Sequence, residues 1–262
     1  MIEWVRRDGD IMNREEFLSL RQNLLDVVIE YEVLQRKAYF IENSYILEFY
    51  VDLEQQRYIQ HENDYIIKAI ALHAEGKSDS EVQAFLDACK VEFQGIMNSF
   101  QRRYTMAKEL EHRCKNYDSE DIVNLDRDFI AYCSKYHPLV KAHSSEQEHD
   151  LYDLLISMYR IGNIQGFKSV LEENKSILKD DVIKEEELDK VASLYRESLQ
   201  QLKGVLEKQK NSFPLNKEYL FTDAMNLAKE SVRLREENAG DREINTTLQK
   251  DFKENFSFQF EL

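Results

Sequence analysis

The sequence predicts an all-α protein, in which a long antiparallel helical hairpin (a coiled-coil-like arm) is followed by a compact helical module and a C-terminal helical region. Of the 262 residues, only seven are Gly and two are Pro, and both residue types interrupt regular structure. Apolar residues recur in alternating steps of four and three over long stretches, which is the heptad pattern of helices packed along a seam. The two observations together favour long helices joined by few loops.

The first helix is predicted to run from Arg14 to about Glu75, because no Gly or Pro intervenes. Asn13 is a suitable N-cap, since its side chain can accept a hydrogen bond from the first turn. Every third or fourth residue forms the apolar seam, which consists of Leu20, Leu24, Val27, Tyr31, Leu34, Ala38, Ile41 and Tyr45. If the helix is interrupted, the kink is expected at Asn43-Ser44.

Gly76 is predicted to end the first helix, and Ser78 with Glu81 forms a capping box that starts the second. The same four-three rhythm, missing only at Arg103, continues through Val82, Leu86, Cys89, Phe93, Ile96, Phe100, Ala107, Leu110, Cys114 and Tyr117. A turn this short makes the helices antiparallel, which pairs Val82 with the region of Leu72. The seam over Phe17–Leu34 is then left without a partner from the second helix.

Three regions follow from this pattern: the arm at residues 1–117, a helical module at 118–178 and C-terminal helices at 179–262. A helix from Leu188 to about Lys210 is expected to cover the seam over Phe17–Leu34, the alternative being a second copy of the chain. A last long helix is expected to break at Ala239-Gly240. The tail alternates Phe256, Phe258 and Phe260, which fits an extended ligand peptide or, as we prefer, packing on its own core.

Composition bears on the cellular setting and on the partners. The net charge of −15 would repel a phosphate backbone or an anionic membrane surface, which argues against nucleic acid and membrane partners. No apolar run approaches the roughly 20 residues that span a bilayer. Cys89, Cys114 and Cys133 lie at apolar helix positions and fit reduced thiols in the cytoplasm better than disulfides.

The central segment from Leu125 to Asn174 is predicted to be a helical hairpin with a rigid corner. His137-Pro138 ends its first helix, because Pro disfavours the α conformation in the residue before it. A capping box formed by Ser145 and Glu148 starts the next helix, and Gly162-Asn163 separates that helix from a shorter one.

Two stretches of this segment, AYCSKYHPLVKA and LYDLLISMYRIGNIQGFKSVL, resemble the end of the second helix and the third helix of the J-domain family of co-chaperones. A Ser-Phe-Pro turn at Ser212-Phe213-Pro214 is similar to that of bacterial J-domain-like proteins with a long helical arm. In that family a His-Pro-Asp tripeptide couples the co-chaperone to the ATPase of a DnaK-type chaperone. Here Leu139 takes the place of the Asp, and the helix before it is not strongly basic.

The resemblance implies a non-enzymatic protein–protein interaction module that is unable to stimulate a DnaK-type ATPase. It implies a protein partner, with a DnaK-type chaperone as the candidate. The contact surface expected around the corner consists of Arg127, Lys135, Tyr136, His137, Pro138 and Lys141.

Two alternatives from other classes stay open. The first is a self-associating structural coiled-coil protein, a homodimer through Phe17–Leu34. The second is a helical-bundle metal-binding protein that uses the Glu-x-x-His pairs Glu109/His112 and Glu146/His149, a spacing found in di-metal bundles. The register places the first pair outside the seam, and the second pair starts a helix. We therefore predict no metal site, cofactor or catalytic residue.

Overall fold

The computed structural model describes residues 12–112 and 119–262, and these residues contain helices and no strand. The all-α prediction is therefore confirmed for this part of the chain. The α-helices in chain order are α1 (Arg14–Ala74), α2 (Asp79–Glu109), α3 (Glu120–Tyr136), α4 (Glu146–Arg160), α5 (Ile164–Glu173), α6 (Leu188–Lys210) and α7 (Ala224–Asn255). Short 3₁₀ helices lie at Glu185–Glu187 and Leu215–Thr222. Cys114 and Tyr117, which belong to the predicted seam, lie outside the described residues.

Most helix starts lie where the capping residues predict them. The Asn13 side chain accepts a hydrogen bond from the Glu16 N–H, and the boxes formed by Ser78 with Glu81 and by Ser145 with Glu148 are both complete. The break expected in α1 is displaced. The backbone leaves the helical region at Phe49 (φ −113°, ψ 17°) rather than at Asn43-Ser44.

The chain divides into two compact units, each assembled from separated segments: residues 1–41 with 113–216, and residues 42–112 with 217–262. We call these unit 1 and unit 2. The division differs from the three consecutive regions expected from the sequence, because α1 supplies residues to both units. Proximity in sequence is therefore a poor guide to packing in this protein.

In unit 1, α6 runs parallel to the first part of α1. The rings of Phe17 and Tyr195 stack with centroids 5.5 Å apart, and Lys210 forms an ion pair with Glu30 at 2.8 Å. Phe17, Leu24 and Val28 are buried. The expectation that this helix packs along Phe17–Leu34 is confirmed, and no second copy of the chain is needed to bury these three side chains. The register of the seam differs from the prediction, because Leu24 is buried but Leu20, Val27, Tyr31 and Leu34 are only partly buried.

The predicted hairpin is confirmed in unit 2. Tyr58 on α1 contacts Phe93 on α2, and Tyr50 stacks between Phe100 and Tyr104. Contacts that move backward along α1 as they move forward along α2 identify the two helices as antiparallel. At the turn, Gly76 has a positive φ of 88° and follows the last turn of α1 as a helix-ending glycine does.

The break expected at Ala239-Gly240 is wrong, since α7 continues through it to Asn255. The side chain of Asn238 donates a hydrogen bond to the Asp52 carbonyl at 2.9 Å, and Asn63 donates to the Asp241 carbonyl at 3.1 Å. These tertiary bonds hold the helix on both sides of the glycine, whose cost in a helix is only about 1 kcal/mol.

The tail packs on the core of unit 2, as preferred from its sequence. Phe256 and Phe260 are buried with Phe252, Phe93 and Ile66 in one cluster, and the ring of Phe258 lies against it.

Candidate docking corner at His137-Pro138

The corner follows α3 and is defined by backbone geometry that Pro138 imposes. His137 is the C-cap of α3, with φ −64° and ψ 129°, the extended conformation favoured before proline. Its carbonyl then accepts hydrogen bonds from the Val140 and Lys141 N–H groups, both at 2.9 Å. The chain thus turns sharply and is fixed within four residues.

His137 is buried within this turn, and one of its ring nitrogens has no partner. The Nδ1 atom accepts a hydrogen bond from the Leu139 N–H at 3.1 Å, so the neutral ring carries its proton on Nε2. No hydrogen-bond acceptor in the described chain meets Nε2. Burial lowers the pKa of His137 to about 3, and the ring is therefore neutral at physiological pH.

A buried ion pair holds the loop after the corner. Lys141 and Glu148 are both buried and paired with each other, and Glu148 also accepts hydrogen bonds from the N–H groups of Ser145 and Lys179. Burial alone would raise the pKa of Glu148, but the hydrogen bonds from Lys141 and from the two backbone groups outweigh it and lower the pKa to about 2. The pair is charged and hydrogen-bonded, which is the condition under which buried charges are tolerated.

Charged side chains of α1 pack against the corner and the helices beside it. Arg21 donates to the Ser134 and Val140 carbonyls at 3.0 and 3.3 Å. About three and four turns further along α1, Glu32 and Arg36 are buried, although the predicted seam passes through Tyr31 and Leu34 instead.

These two buried charges have partners on the helices of the module. Glu32 accepts hydrogen bonds from Tyr152 and Arg160, both at 3.0 Å. Arg36 donates to Asp126 at 2.8 Å, and its guanidinium lies 5.4 Å from the centre of the Tyr159 ring. The partners lie 90 or more residues away in sequence, and no local pattern indicates them.

The six residues predicted as a contact surface separate into three groups. Arg127 and Lys135 are exposed, and Tyr136 and Pro138 are half-buried. His137 and Lys141 are only 3% and 5% exposed. The expectation that His137 and Lys141 contact a partner at the surface is therefore corrected: both side chains are buried and stabilise the corner from its interior.

Leu139 is the residue of the corner that most faces solvent, at 41% exposure. In the sequence its position is notable only for the absence of the carboxylate found in the related tripeptide. The sequence signal for its exposure is an apolar residue directly after Pro in a turn, a place where Gly, Asn, Asp and Ser are more usual.

A half-open cleft of about 330 Å³ lies beside the corner. Its wall is mainly apolar and is formed by Val28, Tyr31, Pro138, Leu139, Tyr152 and Leu202. The polar side chains that border it are Glu32, His137, His149 and Asp153. Volumes of this order lie at the lower end of the range for ligand pockets, roughly 300–1,000 Å³.

The described residues contain no group of three or more His, Cys, Asp or Glu side chains that could hold a metal ion. Both members of each Glu-x-x-His pair are exposed, so neither pair faces a bundle interior as a di-metal centre requires. The metal-binding alternative thus gains no support from residues 12–112 and 119–262. A search of these same residues also finds no helix with the length and hydropathy needed to cross a membrane.

Comparison with protein-family models, with curated proteins and with solved structures finds no match to this chain.

Proposed function

We propose that the protein is a non-enzymatic protein–protein interaction module whose contact surface is the corner at His137-Pro138. The observation that carries the proposal is an apolar side chain, Leu139, held out to solvent in a turn where His137, Val140 and Lys141 are buried and hydrogen-bonded. A preorganised apolar contact loses little conformational entropy on binding. Lys135 in the last turn of α3 is exposed as well.

The module is a divergent relative of J-domain co-chaperones in this proposal, and its partner is a DnaK-type chaperone. The helix–corner–helix arrangement of α3 and α4 supports the relationship. With Leu139 in the third position of the tripeptide, the protein docks without stimulating ATP hydrolysis, because no carboxylate is available at that position. Cys89 and Cys133 are buried free thiols, which fits a reducing compartment such as the cytoplasm.

The experiment combines binding and single-turnover ATP hydrolysis with the DnaK-type chaperone of the source organism. The native chain is expected to bind without accelerating hydrolysis, and Leu139→Asp is expected to restore acceleration. Leu154→Asp is the matched control, because Leu154 lies on α4 of the same unit and is 42% exposed. Lack of binding by the native chain, together with no acceleration by Leu139→Asp, would contradict the proposal.

A further inference from the structure

The segment between α5 and α6, residues 174–187, packs against the loop after the corner, residues 139–145. We call the first segment the connector. The structure describes all of its residues, and none of them is buried. Because apolar burial scales with the area removed from water, it contributes little to holding the connector in place. Its position depends on polar contacts.

His143 in the loop lies between two carboxylates of the connector. Its Nδ1 is 3.2 Å from Oδ1 of Asp181, and its Nε2 is 3.4 Å from Oε1 of Glu187. A neutral imidazole has one N–H group and one lone pair, whereas the imidazolium has two N–H groups. Only the imidazolium donates to both carboxylates, since a neutral ring directs its lone pair at one of them. The arrangement therefore favours the charged ring.

Two further hydrogen bonds join the connector to its surroundings without the histidine. The Ala142 N–H donates to Oδ2 of Asp181 at 2.7 Å, and the Lys179 N–H donates to Oε1 of Glu148 at 3.2 Å. The side chain of Asp181 is only 7% exposed, and a poorly solvated carboxylate favours a cation beside it. The contacts with the histidine add to this attachment, so their loss loosens the connector without detaching it.

Charged and titratable groups from the neighbouring elements are engaged with other partners. Lys141, in the same loop, is paired with Glu148 at the start of α4. Arg21 on α1 and Tyr195 on α6 both donate to the Val140 carbonyl. These groups therefore do not replace the histidine as a partner of the two connector carboxylates.

The charges of the connector itself are mainly exposed. Glu187 accepts a hydrogen bond from the Lys184 N–H. That bond and, more weakly, the charge of His143 hold the pKa of Glu187 below its usual value, although desolvation acts to raise it. The other charged side chains of the connector after Leu178 that face solvent are those of Lys179, Asp180, Lys184, Glu185 and Glu186.

We infer that His143 is a pH-sensitive latch that fixes the connector to the loop after the corner. Protonation of the ring closes the latch by pairing it with Asp181 and Glu187, and loss of the proton opens it. Histidine is the side chain that ordinarily changes its charge between pH 5 and 8, whereas Asp and Glu are ordinarily ionised above roughly pH 5. The latch is therefore closed at the acidic end of this range, and the loop and connector become more mobile as the pH rises. The latch acts on the loop whatever the corner binds.

The test measures amide hydrogen exchange in the full-length native chain at pH 6 and pH 8, expressed as protection factors so that the intrinsic pH dependence of exchange is removed. The Ala142 N–H, which bonds to Asp181, is expected to lose protection about fivefold at pH 8, the size of effect that partly exposed ion pairs have. The Phe129 N–H, in the buried part of α3, reports global stability and should keep its protection. With ¹⁵N-labelled histidine side chains, His143 should pass from two protonated ring nitrogens to one over the same pH range.

Three variants separate the histidine from its surroundings. His143→Gln removes the charge, so the protection of Ala142 should be low at both pH values. His143→Arg keeps a cation at every pH and should hold the protection high at both. His149→Gln is the matched control, because His149 is an exposed histidine on α4 of the same unit, and it should behave as the native chain does.

Equal protection of Ala142 at pH 6 and pH 8 in the native chain would overturn the inference. A pH dependence that survives in His143→Gln would overturn it as well, since another group would then be titrating. A matching loss at Phe129 would assign the effect to the whole of unit 1 and not to the latch. None of these measurements uses a chaperone, so failure of the latch is distinct from failure of the proposed function.

Discussion

Gly162 ends α4 and also leaves room for side chains that pack against it. Its φ is +65°, and the N–H groups of Gly162 and Asn163 bond back to the Tyr159 and Met158 carbonyls, which is the Schellman ending of a helix. A Cβ at Gly162 would also meet the ring of Phe40 at 3.0 Å and Ile122 at 3.1 Å. Both the backbone and the packing require glycine here.

Gly162→Ala is expected to destabilise unit 1 by about 2–4 kcal/mol, combining the left-handed conformation with overpacking. Gly76→Ala is the matched control. Gly76 ends α1 with the same pair of backbone bonds, but a Cβ there meets nothing within 4 Å, so only about 1–2 kcal/mol should be lost. Native-state hydrogen exchange of core amides measures each loss in its own unit. Equal losses would show that Phe40 and Ile122 yield to the added methyl group.

The buried pair of Lys141 and Glu148 makes stability depend on pH. The pKa of Glu148 falls from 4.5 in the unfolded chain to about 2 in the folded one, so the folded state binds this proton less tightly. The stabilisation is therefore complete above about pH 4.5 and is lost as the pH falls toward 2.

Glu148→Gln is expected to cost about 3 kcal/mol at neutral pH, because it leaves the Lys141 charge buried without its counterion. Urea unfolding of the native and variant proteins from pH 7 to pH 2 should show the difference shrinking below pH 4.5. A difference that stays constant over this range would mean that Glu148 is not the titrating group. Addition of Lys141→Met to the variant should recover part of the loss, since the unpaired charge is then removed.

At the scale of the helix, α7 tests how local propensity and tertiary contacts compete. Gly240 lies inside the helix at an exposed position, and a Cβ there would meet nothing within 4 Å. Gly240→Ala should therefore stabilise unit 2 by about 0.5–1 kcal/mol, measured by hydrogen exchange of the α7 amides. Gly166→Ala on α5 should instead destabilise unit 1, because its Cβ would lie 2.4 Å from the Asn163 side chain that caps that helix. A loss at Gly240 would indicate that the glycine has a role the contacts do not show.

The helices that the sequence predicts well are those whose signals are local. Capping boxes at Ser78 and Ser145 and the proline after His137 act within four residues, and each is found where it was expected. The kink at Phe49 and the continuity of α7 through Gly240 depend on tertiary packing, which overrides weak local propensities.

The candidate site shows the same division between local and distant causes. The corner itself can be predicted from the sequence. The burial of Glu32, Lys141 and Glu148 is not, because charged residues are almost never fully buried unless paired, and the helix face of Glu32 is settled by Tyr152 and Arg160 on α4. The cleft exists only where α1, the corner, α4 and α6 meet, so no single segment predicts it.

For the molecule as a whole, the covered seam of unit 1 leads to an expectation about oligomeric state. Within Phe17–Leu34, the segment that the sequence offered for self-association, Phe17, Leu24 and Val28 are buried by contacts within unit 1. A net charge of −15 further opposes association of identical chains. Light scattering should give the monomer mass of 31.2 kDa at all concentrations and at both low and high salt. A mass of twice this value would revive the structural alternative. Leu18→Glu would then show which surface forms the dimer, because Leu18 is 53% exposed. Loss of the dimer would place the interface on the exposed face of α1. A dimer that persists in the variant would require α6 to leave the seam.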